Sequence, residues 1–584
     1  MQVLVRDDHA RMWKALPLLL VLGCGNSGDN TGQPDSGPDV TTAVDAGAEA
    51  QVEAEASIPT GATLAVGPSF VWVRQGGQAQ VPFTVTRNGV PGALTVHATG
   101  LPSGVTASDT TVPDGQSNGT LALAAASSAV LGATSQATLQ LLDQTQTEDQ
   151  KTLTVGVSGA PGALDTTWAG GGAASLQLPY NALGYAIAVY PASAGANAGK
   201  IVLAGNVQVS YPTDARIVIA RYDLDGSLDP TFGDPAASDG GTSRLGYTLF
   251  NPGLSDETAI TTWPPAVRID SKGRIVVVNN RSPAGSGSQC YTELGRWTAD
   301  GVVDSTFTRY SGNLNGGYCG ISVDVAVTSA DDPVVLAEWN IATGAETVIA
   351  PFSGADGTRQ GSGVHVRLDP SGTAGSQKTT EPTAFRIDAS GAYLVTGRQC
   401  DGGWSAGLSA CLPFVDRVLA AGQLDTGFAT KGYTTFSFGT GGSQRFLGET
   451  IDPTTSDVVA VGTNDLGTLG TMARVSGTTG APATFGTQGS LTRNLYTGAT
   501  SESLWSVMVD SQSRIVAAGS VASGTQGYLA RTRCMGDGKV DTTYAGSGSG
   551  VTAGAGEAAA LGNDDRLYVV GASGTTLTIW RYWP

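Results

Sequence analysis

From residue 60 onward the chain alternates apolar and polar positions in short runs separated by turn-forming clusters. Within residues 60–158 the alternation is carried by SFVWVRQG, AQVPFTVTRNG, ALTVHATG, GTLALAAA, ATLQLLD and KTLTVGV. A period of two marks a strand with one face in a core. Turn clusters recurring at intervals of about 10 residues predict a β-sandwich for this stretch.

Beyond residue 161 the pattern changes to nearly unbroken apolar runs, each opened by a turn: GKIVLAGN, GRIVVVNN, DPVVLAEWN, GAYLVTG, SDVVAVGTN, SRIVAAGS and DRLYVVGAS. Such runs predict strands buried on both faces. In phase with them is a turn ending in an aromatic, as in LDTTWAGGG, LDPTFGD, VDSTFTRYSG, LDTGFATKG and VDTTYAGSG, with APFSGADG and ATFGTQG as decayed copies. The aromatics are Trp168, Phe232, Phe307, Phe352, Phe428, Phe485 and Tyr544. A third mark, the strand leading into the turn, is clear in five copies, such as IVIARYDLDGSLD and LTIWRYWP. Three of the six steps between the aromatics lie near 60 residues, two are about 75 and one is 45; a repeat of this length with about four short strands is the unit of a propeller rather than of a solenoid rung. One four-stranded blade cannot bury both of its faces, so the copies must stack around an axis. The expected fold class is therefore all-β, an Ig-like β-sandwich followed by a seven-bladed β-propeller. Blade boundaries in residues 303–423, where the copies are most divergent, are left open. The array begins just after a strand–turn position and ends just before one, which predicts closure. Residues 173–179 should lie beside the last blade, with Trp580, Tyr582 and Trp583 buried there.

The stretch DLDGSLDPTFG admits two readings. Asp-Gly between two strand runs is a hairpin turn, since glycine accepts a positive φ; the following aromatic would pack between blades. A calcium reading needs several converging oxygens, for which Asp223, Asp225 and Asp229 are the candidates. The other copies lose the first acid, Thr298 taking its place in one, and RVLAAGQLD loses the second as well. A repeated turn needs only its glycine, so the turn is favoured.

Composition and the N-terminal segment bear on class and location. Charged residues are 14% and hydrophobic residues 40%, enough for a large core. Net charge is −18 with Lys+Arg 32 and no basic stripe, which argues against nucleic acid. Near the N-terminus Lys14 precedes ALPLLLVLG and Cys24. That apolar run is too short to span a bilayer and has the build of an export signal, with translation expected to start at Met12. Residues 25–59 are acidic and lack Lys, Arg and aromatics, the composition of a disordered tether.

Three resemblances follow from these residues. VLGC resembles the lipobox of bacterial lipoproteins, which implies lipidation of Cys24 and a membrane anchor; Gly25 next to it favours the outer membrane or cell surface. LPSGVTASDTTVPDGQSNGTLALAA resembles bacterial Ig-like domains, which serve as spacers or adhesive modules. The joint pattern G-x-I-V-x-A-G, A-R-Y and D-G-x-L-D-x-T-F-G is similar to the delta-60 repeat family of extracellular bacterial propeller-like repeats. The expected organisation is a signal over 1–24, a linker over 25–59, an Ig-like sandwich over 60–158 and the repeat propeller over 161–584.

Candidate chemistry is sparse. His9, His97 and His365 stand apart from one another and from Cys residues at ligand spacing. No phosphate-binding loop opens a helix, and no cofactor is implied. Carboxylates are plentiful without a distinguished pair. Trp339, Trp404 and Trp505 are candidate sugar platforms, with blade core as the competing reading. Export permits disulfides: Cys400 with Cys411 and Cys290 with Cys319 are the expected pairs, leaving Cys534 as a buried thiol. Two functions of different class fit. The first is a monomeric, non-enzymatic lipoprotein whose propeller binds a protein or glycan of unknown identity. The alternative is a carbohydrate-active propeller with acids in its central funnel.

Overall fold

The computed structural model describes residues 61–584 apart from 145, 211–213, 236–243, 251–256, 261–263, 284–290, 315–319, 342–343, 369–377, 402–408 and 440–443. Residues 1–24 with His9 and Cys24, the segment 25–59, Cys290, Cys319 and Trp404 fall outside the described residues.

Residues 63–158 form two sheets. Thr63–Val66, Gln78–Thr86, Asn118–Ala125 and Val105–Ser108 pair in that order; Phe70–Arg74, Thr147–Ser158, Thr134–Leu142, Leu94–Thr99 and Thr110–Val112 make the other. Their alternate residues, among them Val73, Val81, Leu121, Leu139 and Val155, are buried in one shared core. The period-two pattern is thus a two-layer packing, one face of each sheet inward.

Among the described residues seven further sheets follow, each of four strands except the second, which has five. The leading strands are Asn181–Val189, Ala266–Ile269, Gly320–Val327, Lys378–Ile387, Arg445–Ile451, Ser501–Val509 and Ala555–Leu561. Each adjoins the next, and the last adjoins the first, so they surround a common axis. The apolar runs seen in the sequence are the second strands, and their burial explains their composition. In the first sheet Ile201 and Leu203 enter the core shared with the seventh sheet, while Val202 and Ala204 enter the core shared with the second. A strand that feeds two interfaces has no polar face. In six of the seven sheets the leading strand carries one extra residue, a β-bulge, opposite the second strand. Val323, Thr383, Leu447, Trp505 and Glu557 are such residues, all half-buried. A bulge increases local twist, and its recurrence bends each leading strand in the same way.

The seventh sheet joins the two ends of the array. Ala173–Gln177 pairs antiparallel with Thr576–Tyr582, Leu176 facing Leu577, and is the outer strand of a sheet otherwise made from residues 555–582. Tyr582 and Trp583 are buried as expected. Trp580 is only half-buried, because its register partner on the outer side is the small Ala173 at the strand end. The two-sheet unit is docked against this closure. Trp72 Nε1 donates to the Asp564 carbonyl at 2.6 Å, the Trp72 and Trp583 rings meet edge to face at 5.3 Å, and the Arg566 guanidinium lies over both.

Candidate functional site

The opening turn motif acts as a clasp between consecutive sheets. After each third strand the chain turns and buries an aromatic, as with Trp168, Phe232, Phe428, Phe485 and Tyr544; an aspartate stands three residues before the aromatic in five of the seven copies, Asp165, Asp229, Asp304, Asp425 and Asp541, and is absent before Phe352 and Phe485. The amide after the aromatic donates to a carbonyl in the next repeat's turn: Ala169 to Asp225, Gly233 to Asp300, Thr308 to Asp356, Ala429 to Thr479, Gly486 to Asp537 and Ala545 to Pro161. The turn glycine that follows sits directly on that aromatic. A Cβ on Gly301 would lie 2.7 Å from Phe232 Cζ, and one on Gly538 would meet Phe485 at 3.1 Å. Glycine is required there by its positive φ and by the ring against it.

The aspartate of the motif closes a second contact. Asp229 Oδ1 accepts from the Thr231 amide and hydroxyl, while Oδ2 accepts from Arg221 Nε at 2.8 Å. Asp304 with Arg296 and Asp541 with Arg533 repeat this geometry, and Asp165 takes Arg581 and Arg566. Each guanidinium then covers the motif's aromatic: Arg221 over Phe232, Arg296 over Phe307, Arg533 over Tyr544, Arg581 over Trp168. This Arg–Asp–aromatic unit was missed in the sequence; its signal was the Arg of ARY, GRW, DRV and TRC standing eight residues before Asp229, Asp304, Asp425 and Asp541, with the Arg of WRY meeting Asp165 from the other end of the array. The calcium candidates belong to the same unit. Asp223 and Asp229 converge on the Lys200 ammonium at 2.9 and 2.6 Å, and Asp225 turns into its own loop to accept from Ser227. Their charge is thus met by cations and donors of the chain itself. Among the described residues no group of three or more His, Cys, Asp or Glu side chains is placed to hold a metal ion.

The disulfide Cys400–Cys411 is formed between the second and third strands of the fourth sheet. Cys534 is a free buried thiol against the Met472 sulfur, and burial pushes its pKa up to about 12. His97 meets Asp109 on an exposed face, and His365 lies 3.6 Å from Glu346 and packs on Trp339. Trp339 belongs to the periphery of a core, whereas Trp505 is a bulge residue of a leading strand.

Around the axis, three consecutive leading strands carry a charged ladder. Arg268 of the second sheet donates to Asp324 of the third at 2.7 Å; Arg386 of the fourth reaches the other oxygen of Asp324 at 3.1 Å. The Phe385 amide also points at that oxygen. Asp324 is 8% exposed, but Arg268 and Arg386 keep 29% and 33% of their side-chain surface in contact with solvent. Two acids lie nearby without access to solvent. Glu449, on the leading strand of the fifth sheet, is held well above its ordinary pKa by burial, against the pull of Arg386. Asp416, on the third strand of the fourth sheet, is raised by burial alone; neither of its oxygens has a hydrogen-bond partner. Burial thus moves both acids toward their protonated forms, and the ion pairs of the ladder join two guanidiniums to the one carboxylate of Asp324.

A family model described as "Domain of unknown function (DUF5122) beta-propeller" matches residues 199–232, the second and third strands and clasp of the first sheet. No curated protein matches the chain. Among solved structures, the polysaccharide lyase Uly1 aligns at 10% identity over 69% of this chain and 90% of its own, with a TM-score of 0.38. A quinonprotein alcohol dehydrogenase-like protein from Bacteroides thetaiotaomicron aligns at 8% identity over 81% of this chain and 92% of its own, with a TM-score of 0.30. The chain is all-β and carries a β-propeller.

Proposed function

We propose that this protein is an exported, surface-anchored, non-enzymatic binding platform, in which a seven-bladed propeller of delta-60 type is presented by an Ig-like module and an acidic tether on a lipidated Cys24. The observation that carries the binding reading is the Arg268–Asp324–Arg386 ladder, in which two partly solvent-exposed guanidiniums from the flanking leading strands share one buried carboxylate. An acid-pair glycosidase requires two carboxyls open to one substrate space. Here the acids named beside the axis are used otherwise: Asp324 is held by two guanidiniums, and Glu449 and Asp416 are enclosed. Most motif carboxylates are taken up by arginines of their own sheets, and backbone amides join one repeat to the next, which supports a rigid scaffold rather than a mobile catalytic one. The partner is a protein or glycan, with no role for nucleic acid, and the anchored unit is a monomer at the outer membrane or cell surface.

The reading is tested in two arms. Full-length protein probed on glycan and extracellular-protein arrays should retain specific partners and leave every retained glycan chemically intact; cleavage of a retained glycan would establish the enzymatic alternative. Cys24→Ala should move the protein from the membrane to the soluble fraction while leaving its melting temperature unchanged. Several acyl chains on that cysteine are implied, because one chain binds a membrane only marginally.

A further inference from the structure

The seven leading strands end in the same way, and this puts their axial residues at one level. The turn amides of Tyr190, Asp270, Thr328, Asp388, Asp452, Asp510 and Gly562 each close the hairpin to the second strand. Two residues before them stand Ala188, Arg268, Ala326, Arg386, Thr450, Met508 and Ala560, all half-buried except the buried Ala326. On one arc of this ring, over the second to fourth sheets, Arg268 and Arg386 flank Ala326 and reach Asp324, two residues before it on the same strand. The rest, from the fifth sheet round to the first, is formed by Thr450, Met508, Ala560 and Ala188, which bring no charge.

Arg268 and Arg386 both bind Asp324. Loss of hydration pulls the Arg268 guanidinium below its ordinary pKa, Asp324 pulls it back up, and Arg386 pushes it down again. The two guanidiniums therefore repel across a single carboxylate, in a recess where charge is weakly screened. Asp324 is the carboxylate that both guanidiniums pair with, while Glu449 is enclosed and its pKa is raised by burial. A guanidinium presents a planar fork of donors suited to carboxylates and phosphates alike. Two guanidiniums that share one carboxylate keep donors for one further anionic group; a dianion would also meet the repulsion of Asp324 itself.

We infer that the axial ring is a binding site for a monocarboxylate whose carboxylate is held by Arg268 and Arg386 and whose less polar body lies on the Met508–Ala560–Ala188 arc. An acidic sugar residue has this chemistry. The inference deepens the platform reading and rests on it.

The probe is sodium glucuronate, titrated calorimetrically into full-length protein in detergent, with glucose and sulfate as comparison ligands. Glucuronate should bind at least about tenfold more tightly than glucose, as expected for charge-assisted hydrogen bonds, and more tightly than sulfate. Added NaCl should weaken it. Arg386→Gln and Arg268→Gln should each weaken glucuronate about tenfold or more while leaving glucose unchanged. Because either change could disturb Asp324, Ala560→Asp provides an independent arm: it leaves the ladder intact, adds a negative charge across the ring, and should weaken glucuronate equally. Thermal melts identify the folded variants. Absence of glucuronate binding, equal binding of glucose, preference for sulfate, or an unchanged affinity in folded Ala560→Asp overturns the inference. If glucuronate fails while the arrays still return a partner, the axial assignment falls and the platform reading stands.

Discussion

Asp229 and Asp416 are both buried, and their carboxyl pKa values are moved in opposite directions. Burial alone would raise Asp229, but Lys200, Thr231 and Arg221 bring its carboxyl well below the usual range. A depressed pKa contributes stability that is present above the unfolded value of about 3.9 and is lost as pH falls through the folded value. Asp416 has no such partners and is raised, so its contribution has the other sign: its cost grows as pH rises above about 4. The residue directly before the clasp arginine is Asp416 in the fourth sheet but Ala220 and Ala473 in the first and fifth, both buried. Asp416→Ala should therefore stabilise the protein at pH 7, by about 1–3 kcal/mol from removing unpartnered polar atoms. The gain should shrink toward pH 4. Melting curves of parent and variant at both pH values check this; a variant that melts lower than the parent at pH 7 would show that Asp416 has a stabilising partner.

At the scale of the element, the clasp hairpin explains why a turn glycine recurs. Gly301 combines φ +85° with Phe232 at 2.7 Å from an added Cβ; Gly89, in the two-sheet unit, has φ +86° and nothing within 4 Å. The pair separates two causes of the same preference. Gly89→Ala should cost about 1–2 kcal/mol from the backbone conformation alone, measured by denaturant unfolding. Gly301→Ala should cost more, since Phe232 or the turn must also move. Equal losses in the two variants would mean that the aromatic yields freely and that the clasp is not tightly packed. The decayed copy shows what the motif contributes: after Phe352 the Ser353 amide turns back to Thr358 in its own loop, and the contact to the next repeat is not made.

At the scale of the molecule, closure depends on strands from opposite ends of the array. Thr576–Tyr582 is held between Leu567–Ser573 and Ala173–Gln177, and the core it enters includes Trp168, Tyr185 and Leu203 of the array's beginning. Deleting residues 577–584 would unpair the outer strand, expose that core and remove the Trp583 contact with Trp72. Loss of a buried Trp alone costs about 3–5 kcal/mol, and an opened ring also exposes unpaired strand edges. The truncated protein should melt well below the parent and aggregate. An unchanged melting temperature by differential scanning calorimetry would mean that the sheets are stable without closure.

The parts of this structure legible in the sequence are those with a local period. Alternation in residues 60–158, apolar second strands, the spaced aromatics and the complementary ends at LDTTW and IWRYWP each express burial along one stretch of chain, so they could be read before any sheet was assembled. The Cys400–Cys411 pair was legible for the same reason, since its loop is short. What only the tertiary structure decided depends on which strands adjoin. Arg268, Asp324 and Arg386 are far apart in sequence and meet because the leading strands of three successive sheets surround one axis. Asp416 looks like any other acid until the fourth sheet encloses it. Trp72 reads as one more alternating residue, and only the docked closure places it on Trp583 and Arg566. Periodicity records whether a side chain is buried; electrostatics depends on what stands beside it, and that is set when the ring closes.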